Sequence, residues 1–396
     1  MKVYILTREP IPIGMAATNR IIHYAKALIS NGVECEIIVT RRTEVYGNVR
    51  NRSAKGIIDN MIPFRYITNK TERSSKFINR RIHDFIDDWI VPFWINRNVK
   101  RNDCIIYFNP TYKRARAITR KCKNNGIRIV RELCEFPYGT RNDSLKNRIM
   151  LKSYEKLVMP HFDGFIAISQ ALEEYAHQIS AKDAKIIRVP ILIDKEQYNA
   201  INAYAHNKPY IFHAGTMYER KDAIVSTMKA FAIANKELNG SVDFILAGPE
   251  SPHRTELHAI IEEYGLHDNV HFIGRIEHSD VLKYQKGAWL SILNKHDNIQ
   301  NRCGFSTKLG DVLLAGTPVI TTPVGEANNF IIDGQSALIA KSSSPKDIAE
   351  QIIRAFRSPE LLAEISKNCE VVAKNNFDYR IQGSRLKEYF ESFKRD

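Results

Sequence analysis

The sequence predicts an α/β protein made of two successive Rossmann-like, doubly wound domains. Three observations predict it. Strand-like apolar runs alternate with amphipathic helical stretches along almost the whole chain, the pattern that builds parallel sheets. The alternation pauses in a polar stretch, residues 194–207, and then restarts. The chain has 396 residues, more than the ~250–300 a single core sustains. The expected domains are 1–195 and 208–377, with a C-terminal helix, 378–396, joining the first.

Residues 3–6 read as a strand, and Pro10, Pro12 and Gly14 as the turn after it. Residues 18–30 carry Ile21, Ile22, Ala25, Leu28 and Ile29 at helical spacing and stop at Asn31-Gly32. Residues 35–39 form the next strand, completing a strand–loop–helix–strand unit. The same reading gives strands at 103–107, 127–133, 164–168 and 186–189, with helices at 112–124, 148–159 and 170–179. Beyond the polar stretch it gives strands at 210–213, 242–247, 270–273, 288–293, 318–321 and 337–340. Helices are expected at 223–235, 253–264, 279–286, 308–315 and 328–332, and from Pro345 onward. Ligands of such sheets sit where strand carboxyl ends meet helix N-termini.

Apolar residues make up 44% and charged residues 26%, enough for packed cores and ordinary for a water-soluble chain. The longest apolar runs fall far short of the ~20 residues that span a bilayer. The opening MKVYIL reads as a core strand rather than a signal peptide, so a cytoplasmic location is expected. The six cysteines are scattered and form no CxxC pair, which suits small buried side chains better than a disulfide frame or zinc site. The net charge of +14 is unevenly placed: residues 1–200 hold 35 Lys and Arg against 20 Asp and Glu. A basic first half attracts anionic membranes, nucleic acid or anionic substrates.

No G-x-G-x-x-G, Walker lysine loop, H-E-x-x-H or D-x-D occurs, which weakens dinucleotide, P-loop, zincin and metal-gripping transferase readings. The most informative stretch is CGFSTKLGDVLLAGTPVI, residues 303–320. Ser306-Thr307 opens a helix there, so free backbone amides precede it, and such an end holds phosphate. Lys308 adds a cation, and Asp311, one turn on, suits a ribose diol. An ordinary α/β helix with a solvated Asp311 would look the same.

This stretch resembles the motif of retaining glycosyltransferases of family 4, which have the GT-B fold: two Rossmann-like domains facing each other across a cleft. Asp311 matches the motif's second acid, and residues 314–320 its ending. Cys303 stands where relatives carry the first acid, with Asp297 and Asn301 upstream as substitutes. Residues 212–222, FHAGTMYERKD, resemble the family's strand, glycine turn and cationic loop. There Gly215 lets the backbone approach a ligand, Lys221 matches the diphosphate lysine with Arg220 beside it, and Thr216 replaces an arginine. Residues 244–250 with Gly248, and residues 272–276 with Arg275 and Ile276, resemble the next two strand ends. The second of those reads the nucleobase through backbone groups. Residues 12–20 resemble the loop over the donor phosphate, with Gly14 alone where many relatives have two glycines. Residues 131–138 resemble a strand end near the reacting centre, with Cys134 at a frequent histidine position and Glu135 matching the acid after it.

The resemblance implies sugar transfer from a nucleoside-diphosphate sugar to an acceptor hydroxyl, with retention, in cell-surface polysaccharide, lipopolysaccharide or glycolipid synthesis. It implies Glu135, Lys221 and Asp311 as catalytic residues. Donor contacts would come from Gly14, Gly215, Thr216, Arg220, Lys221, Gly248, Arg275, Ile276, Cys303, Phe305, Ser306, Thr307, Lys308 and Asp311. Lysines and helix amides take the phosphate charge, so no metal or cofactor is demanded.

Residues 82–98 place Phe85, Ile86, Trp89, Ile90, Phe93 and Trp94 on one helical face, with Arg80, Arg81, Arg97, Lys100 and Arg101 flanking it and Pro92 as a kink. The pattern fits a core helix, and it fits an interfacial helix on an anionic bilayer. The second reading makes the chain a peripheral enzyme at the inner face of the cell membrane, acting on a glycan or lipid-linked acceptor. Two alternatives stay open. One is a catalytically silent relative, because a thiol at 303 cannot accept hydrogen bonds as a carboxylate does. The other is a nucleic-acid binder, disfavoured because the basic residues lie on several elements and no binding module appears.

Overall fold

The computed structural model describes residues 1–110, 112–137, 144–199 and 201–393. The chain divides into two compact units, Met1–Leu192 with the segment from Tyr379, and Ile193–Asp378.

The first unit starts with β1 (Lys2–Thr7), α1 (Ala16–Ser30), β2 (Glu34–Val39), β3 (Lys55–Ile58) and β4 (Ile62–Tyr66). It continues with α2 (Phe77–Asn98), β5 (Cys104–Tyr107), α3 (Tyr112–Asn124), β6 (Arg128–Leu133), α4 (Leu145–Leu157), β7 (Gly164–Ala167), α5 (Gln170–Ile179) and β8 (Lys185–Arg188). The sheet order is β3-β4-β2-β1-β5-β6-β7-β8. All pairs are parallel except β3–β4. The central strands β1, β5 and β7 are short apolar runs buried on both faces, as in β1, where Val3, Ile5 and Leu6 are fully enclosed, while β6 also buries Arg131 and Glu132.

The β3–β4 hairpin has no counterpart in the sequence reading. Its turn is Asp59-Asn60, both at positive φ, the conformation of a tight hairpin turn. Gly56 and Pro63 break the apolar alternation that normally betrays a strand; Gly56 lies on the edge strand β3, and Pro63 lies just before β4 enters register with β2 at Phe64.

Helix α2 begins at Phe77, five residues before its expected start, and continues through Pro92. Of its two readings the core helix does not hold: Phe85, Ile86, Trp89 and Phe93 are exposed, and its buried residues are Asp87, Val91 and Ile95. Trp94 departs from the expected face and packs edge-on against Tyr4, ring centroids 5.6 Å apart.

The second unit opens with α6 (Glu196–Asn199), β9 (Tyr210–Ala214), α7 (Glu219–Asp222), α8 (Ile224–Glu237), β10 (Asp243–Ala247), α9 (Arg254–Tyr264) and β11 (Val270–Gly274). Then come α10 (His278–Gly287), β12 (Leu290–Leu293), α11 (Ile299–Cys303), α12 (Thr307–Leu314), β13 (Val319–Thr321), β14 (Leu338–Ile339), α13 (Pro345–Arg357) and α14 (Pro359–Phe377). Its strands are all parallel in the order β11-β10-β9-β12-β13-β14. This is the doubly wound order that reverses direction between its first and fourth strands, here β9 and β12. The stretch 194–207, expected as a linker, is packed onto this unit. Tyr198 is buried, and Tyr204 stacks on Tyr284 at 4.0 Å.

The chain ends in α15 (Tyr379–Glu391), which returns to the first unit and packs along α1. Leu386 and Phe390 are fully buried there, as are Tyr24 and Leu28 of α1. Among the described residues no helix is long and apolar enough to cross a membrane.

Candidate functional site

In a doubly wound sheet the ligand crevice opens at the carboxyl ends of the two strands flanking the reversal. In the second unit these are the ends of β9 and β12, and three chain segments meet there. After β9 the backbone makes a turn at Gly215. A Cβ on that glycine would lie 2.2 Å from Lys308 Nζ and 3.4 Å from His213 Nε2, so a side chain there would push the Lys308 ammonium group aside. The turns after β9, β10 and β11 are laced together. Gly215 N–H donates to Ala247 O (2.9 Å), and Gly248 N–H donates to Gly274 O (2.8 Å). A Cβ on Gly248, at φ +149°, would sit 1.9 Å from the Gly215 carbonyl.

The loop from 216 to 223 carries Thr216, Arg220 and Lys221 and is bracketed by two non-glycine residues at positive φ, Met217 (+53°) and Ala223 (+45°). Such conformations cost of order 1 kcal/mol each, and the neighbouring contacts hold them. The segment after β12 clamps the loop from the other side. Lys295 Nζ donates to Lys221 O (2.8 Å), Asn298 and Asn301 side-chain amides donate to Arg220 O (3.0 and 3.2 Å), and His296 Nε2 meets Glu219 Oε1 (2.7 Å).

At the centre lies Asp222, which is buried. Its Oδ1 accepts from Lys308 Nζ at 2.9 Å and from Lys295 Nζ at 3.2 Å. Burial alone would raise this carboxyl; the Lys308 and Lys295 charges outweigh it and hold the group well below the usual range. Burial also pushes Lys295 down to about 8, with Asp222 opposing and Lys308 and Lys221 reinforcing. His213 is pushed down to about 3, first by burial and then by the Lys308 charge, so it is neutral at pH 7. Its Nε2 is buried and finds no hydrogen-bond partner among the described residues. Lys308 and Lys295, with the Lys221 charge felt at Lys295, outnumber the Asp222 and Glu219 carboxylates and leave a net positive cradle.

The N-terminus of α12 completes the site. Ser306 is its N-cap without a side-chain cap bond, and the first turn carries no acidic residue. Ser306, Thr307 and Lys308 are half-buried, so first-turn amides of α12 remain for an anion. One turn on, Asp311 Oδ2 lies 3.5 Å from His278 Nε2. That carboxylate raises the His278 imidazole above its ordinary value. Tyr198 Oη donates to Asp311 O at 3.0 Å. Arg275 is exposed and Ile276 half-buried, in the loop that leads to His278.

The sheet therefore brings together Gly215, Thr216, Arg220, Lys221, Gly248, Arg275, Ile276, Ser306, Thr307, Lys308 and Asp311. Phe305 is buried, stacked on Phe330 at 5.5 Å and edge-on to Phe377 at 5.6 Å, so its ring anchors the loop. Cys303 is buried at the end of α11, its thiol raised by burial. Of its upstream substitutes, Asp297 is tied to the Arg302 guanidinium on the surface, and Asn301 is buried and holds the loop carbonyls of Arg220 and His296.

Gly14 and Glu135 belong to the first unit, after the carboxyl ends of β1 and β6. A Cβ on Gly14 would strike Thr18 Oγ1, which donates to Pro10 O at 2.8 Å. Glu135 is exposed, and the neighbouring Cys134 thiol is raised well above its usual range by burial. Tyr138, at the end of the segment read with them, lies outside the described residues. Just below these positions Arg20 Nε meets Glu132 Oε1 at 2.8 Å, both side chains almost fully buried. Arg20 also donates to Pro190 O (2.7 Å) and Val189 O (2.9 Å).

Asp222, Lys295, His213 and His278 were missed by sequence reasoning. Asp222 adjoins Lys221, and Lys295 closely follows a predicted strand. That proximity to motif segments is the only signal either one carries. Among the described residues one group could hold a metal ion, His206, Asp243 and His271. It lies at the amino ends of β10 and β11, away from the glycine turns. Asp243 is already engaged by Asn269 (3.1 Å) and Lys208 (3.5 Å) through its other oxygen.

Comparison with solved structures gives the fold class. The chain is similar to sucrose-phosphate synthase from Thermosynechococcus elongatus over 99% of its own length and 98% of that protein's, with TM-score 0.74 and 14% identity. It is similar to HepE of Anabaena, solved in complex with UDP-glucose, over 99% and 100%, with TM-score 0.71 and 16% identity. The fold is GT-B, with two Rossmann-like parallel-sheet domains.

Residues 194–371 match the family model described as Glycosyl transferases group 1, a span that holds the lysine cradle and α12. An uncharacterized glycosyltransferase of Methanocaldococcus jannaschii is 24% identical over 246 residues, which span 61% of this chain and 61% of that relative.

Proposed function

We propose that this protein is a glycosyltransferase of the retaining family 4 type, moving a sugar from a nucleoside-diphosphate sugar to an acceptor hydroxyl. The observation that carries this reading is the net positive cradle of Lys295 and Lys308 on Asp222, with the Lys221 charge acting on Lys295, next to the uncapped start of α12. A diphosphate supplies the matching charge. The group 1 family match over the same residues and the nucleotide sugar bound by HepE support it.

In this reading the lysines and the amides of Thr307 and Lys308 hold the diphosphate, and Asp311 holds the ribose diol. Backbone groups near Arg275 and Ile276 meet the base. As the bond from the anomeric carbon to the phosphate oxygen breaks, negative charge grows on the leaving phosphate, where the fixed cations stabilise it. The acceptor oxygen bonds to the anomeric carbon on the same face, and its proton passes to the departing phosphate. Neither a protein nucleophile nor a metal is needed, and activity should survive a chelator. The first unit serves as the acceptor side; from it Gly14 adds a donor contact and Glu135 orients the acceptor or donor sugar. The product belongs to cell-surface polysaccharide, lipopolysaccharide or glycolipid synthesis, on the cytoplasmic side.

Isothermal titration with UDP, GDP and ADP tests the donor site; silence toward all three rejects the reading. The buried Cys303 favours a second reading, a nucleotide-sugar binder without turnover. Binding without donor hydrolysis or transfer to any acceptor would select it.

A further inference from the structure

Helix α2 is amphipathic in the reverse sense. Its inward side carries Asp84, Asp87 and Asp88. These meet Arg73 at 3.1 Å, Arg42 at 3.3 Å, and Arg114 at 3.2 Å. Its outward side carries Ile78, Ile82, Phe85, Ile86, Trp89 and Phe93, between 44% and 71% exposed. These residues recur at helical spacing, so they form one continuous apolar stripe. Monomeric surfaces rarely leave a patch of this kind bare.

The charges around the stripe say what covers it. Arg80 and Arg81 lie over the Phe77 ring at 5.9 and 5.2 Å, and Arg114 over Phe85 and Trp89 at 5.8 and 5.4 Å. Arg97 stands in the last turn. His83, on the flank of the stripe, also lines an open cavity of about 1140 Å³ with Arg42, Arg52, Lys70 and Arg73. The acid among the lining residues is Glu72. Asp84 and Asp87 answer Arg73 and Arg42, which leaves Arg52 and Lys70 against Glu72, a net positive lining. Arg42 Nε is buried with no hydrogen-bond partner among the described residues. A phosphate-sized anion fits this lining, and an apolar phase fits the stripe beside it.

We propose that α2 and this cavity form a docking surface for an anionic lipid bilayer, the cavity taking the phosphate of a lipid headgroup. Aromatic and aliphatic side chains enter the acyl boundary while arginines stay at the phosphate level. The inference rests on the reading of the first unit as the acceptor side and narrows that acceptor to a lipid-linked one.

Flotation of the full chain with vesicles, without any donor, tests the surface separately from the transferase reading, which UDP titration tests. Vesicles of phosphatidylcholine with about 30% phosphatidylglycerol should bind at least ~10-fold more tightly than phosphatidylcholine alone. Trp89→Glu with Phe93→Glu should abolish flotation, and Arg52→Glu with Lys70→Glu should weaken it ~10-fold. Unchanged melting temperatures would show both pairs folded. Equal binding to both vesicles, or flotation that survives either pair, overturns the proposal. Binding of inorganic phosphate or glycerol phosphate without vesicle binding also overturns it and assigns the cavity to a soluble anion.

Discussion

Oδ1 of Asp222 accepts hydrogen bonds from both Lys308 Nζ (2.9 Å) and Lys295 Nζ (3.2 Å), and the carboxylate is what permits two ammonium groups to sit side by side. Without it their repulsion would drive them apart. Asp222→Ala should therefore destabilise the second unit by roughly 3 kcal/mol, the usual cost of leaving a buried charge unpaired. Denaturant unfolding near pH 7 measures this. The folded carboxyl titrates below its unfolded value of about 3.9, so its stabilisation is present above that pH and is lost as pH falls further. The difference between wild type and variant should shrink in acid.

Lys308 and Lys221 should each matter for nucleotide affinity. Replacing either by Ala removes a charge-assisted contact of about 1.5–3 kcal/mol, or roughly 10–100-fold in the Kd for UDP by titration. Melting should change less for Lys221→Ala, because Lys221 is exposed.

Lys295, held down to about 8, gives the cradle a pH dependence. It is protonated at pH 7 and loses its charge as pH rises through 8. Affinity for UDP should fall between pH 7 and 9, with proton uptake on binding in that window. Lys295→Arg, charged throughout, should flatten the profile; an unchanged slope would detach Lys295 from the site.

His213 offers a sharper contrast. A buried polar atom without a partner costs about 1–3 kcal/mol, so His213→Leu should keep or raise the melting temperature. If the neutral Nε2 meets the donor, the same variant should weaken UDP binding. Tighter folding with unchanged binding would leave the imidazole no part in the site.

In the first unit, Arg20→Ala should cost about 3–5 kcal/mol because Glu132 would stay buried and uncompensated. Arg20→Met with Glu132→Leu should cost less than the single change, which a double-mutant cycle by chemical unfolding would show.

The second unit was largely legible. Its strands are short apolar runs separated by Gly215, Gly248 and Gly274, and the start of α12 shows as Ser306-Thr307 before an apolar period. What could not be read is pairing across distance. Nothing in the order of residues says that Asp222 faces Lys295 and Lys308, 73 and 86 positions away. Helix α2 stayed open between two readings for a different reason. Periodicity shows that its apolar side chains share a face, yet it is silent on whether that face turns inward. The deciding signal was the three aspartates on the opposite side, each with an arginine waiting on another element. The β3–β4 hairpin was hidden because Gly56, on the edge strand, and Pro63, just outside the pairing with β2, interrupt its alternation.

The return of α15 to α1 has a consequence for how the protein is made. The ribosome releases α1 early, but the partner that packs on His23 and Ala27 emerges only after the whole second unit. A Cβ on Gly383 would lie 2.5 Å from Ala27 O, so the two helices need close approach to seat. Until then the nascent first unit presents an open apolar seam. The second unit, continuous in sequence, can finish folding during that wait.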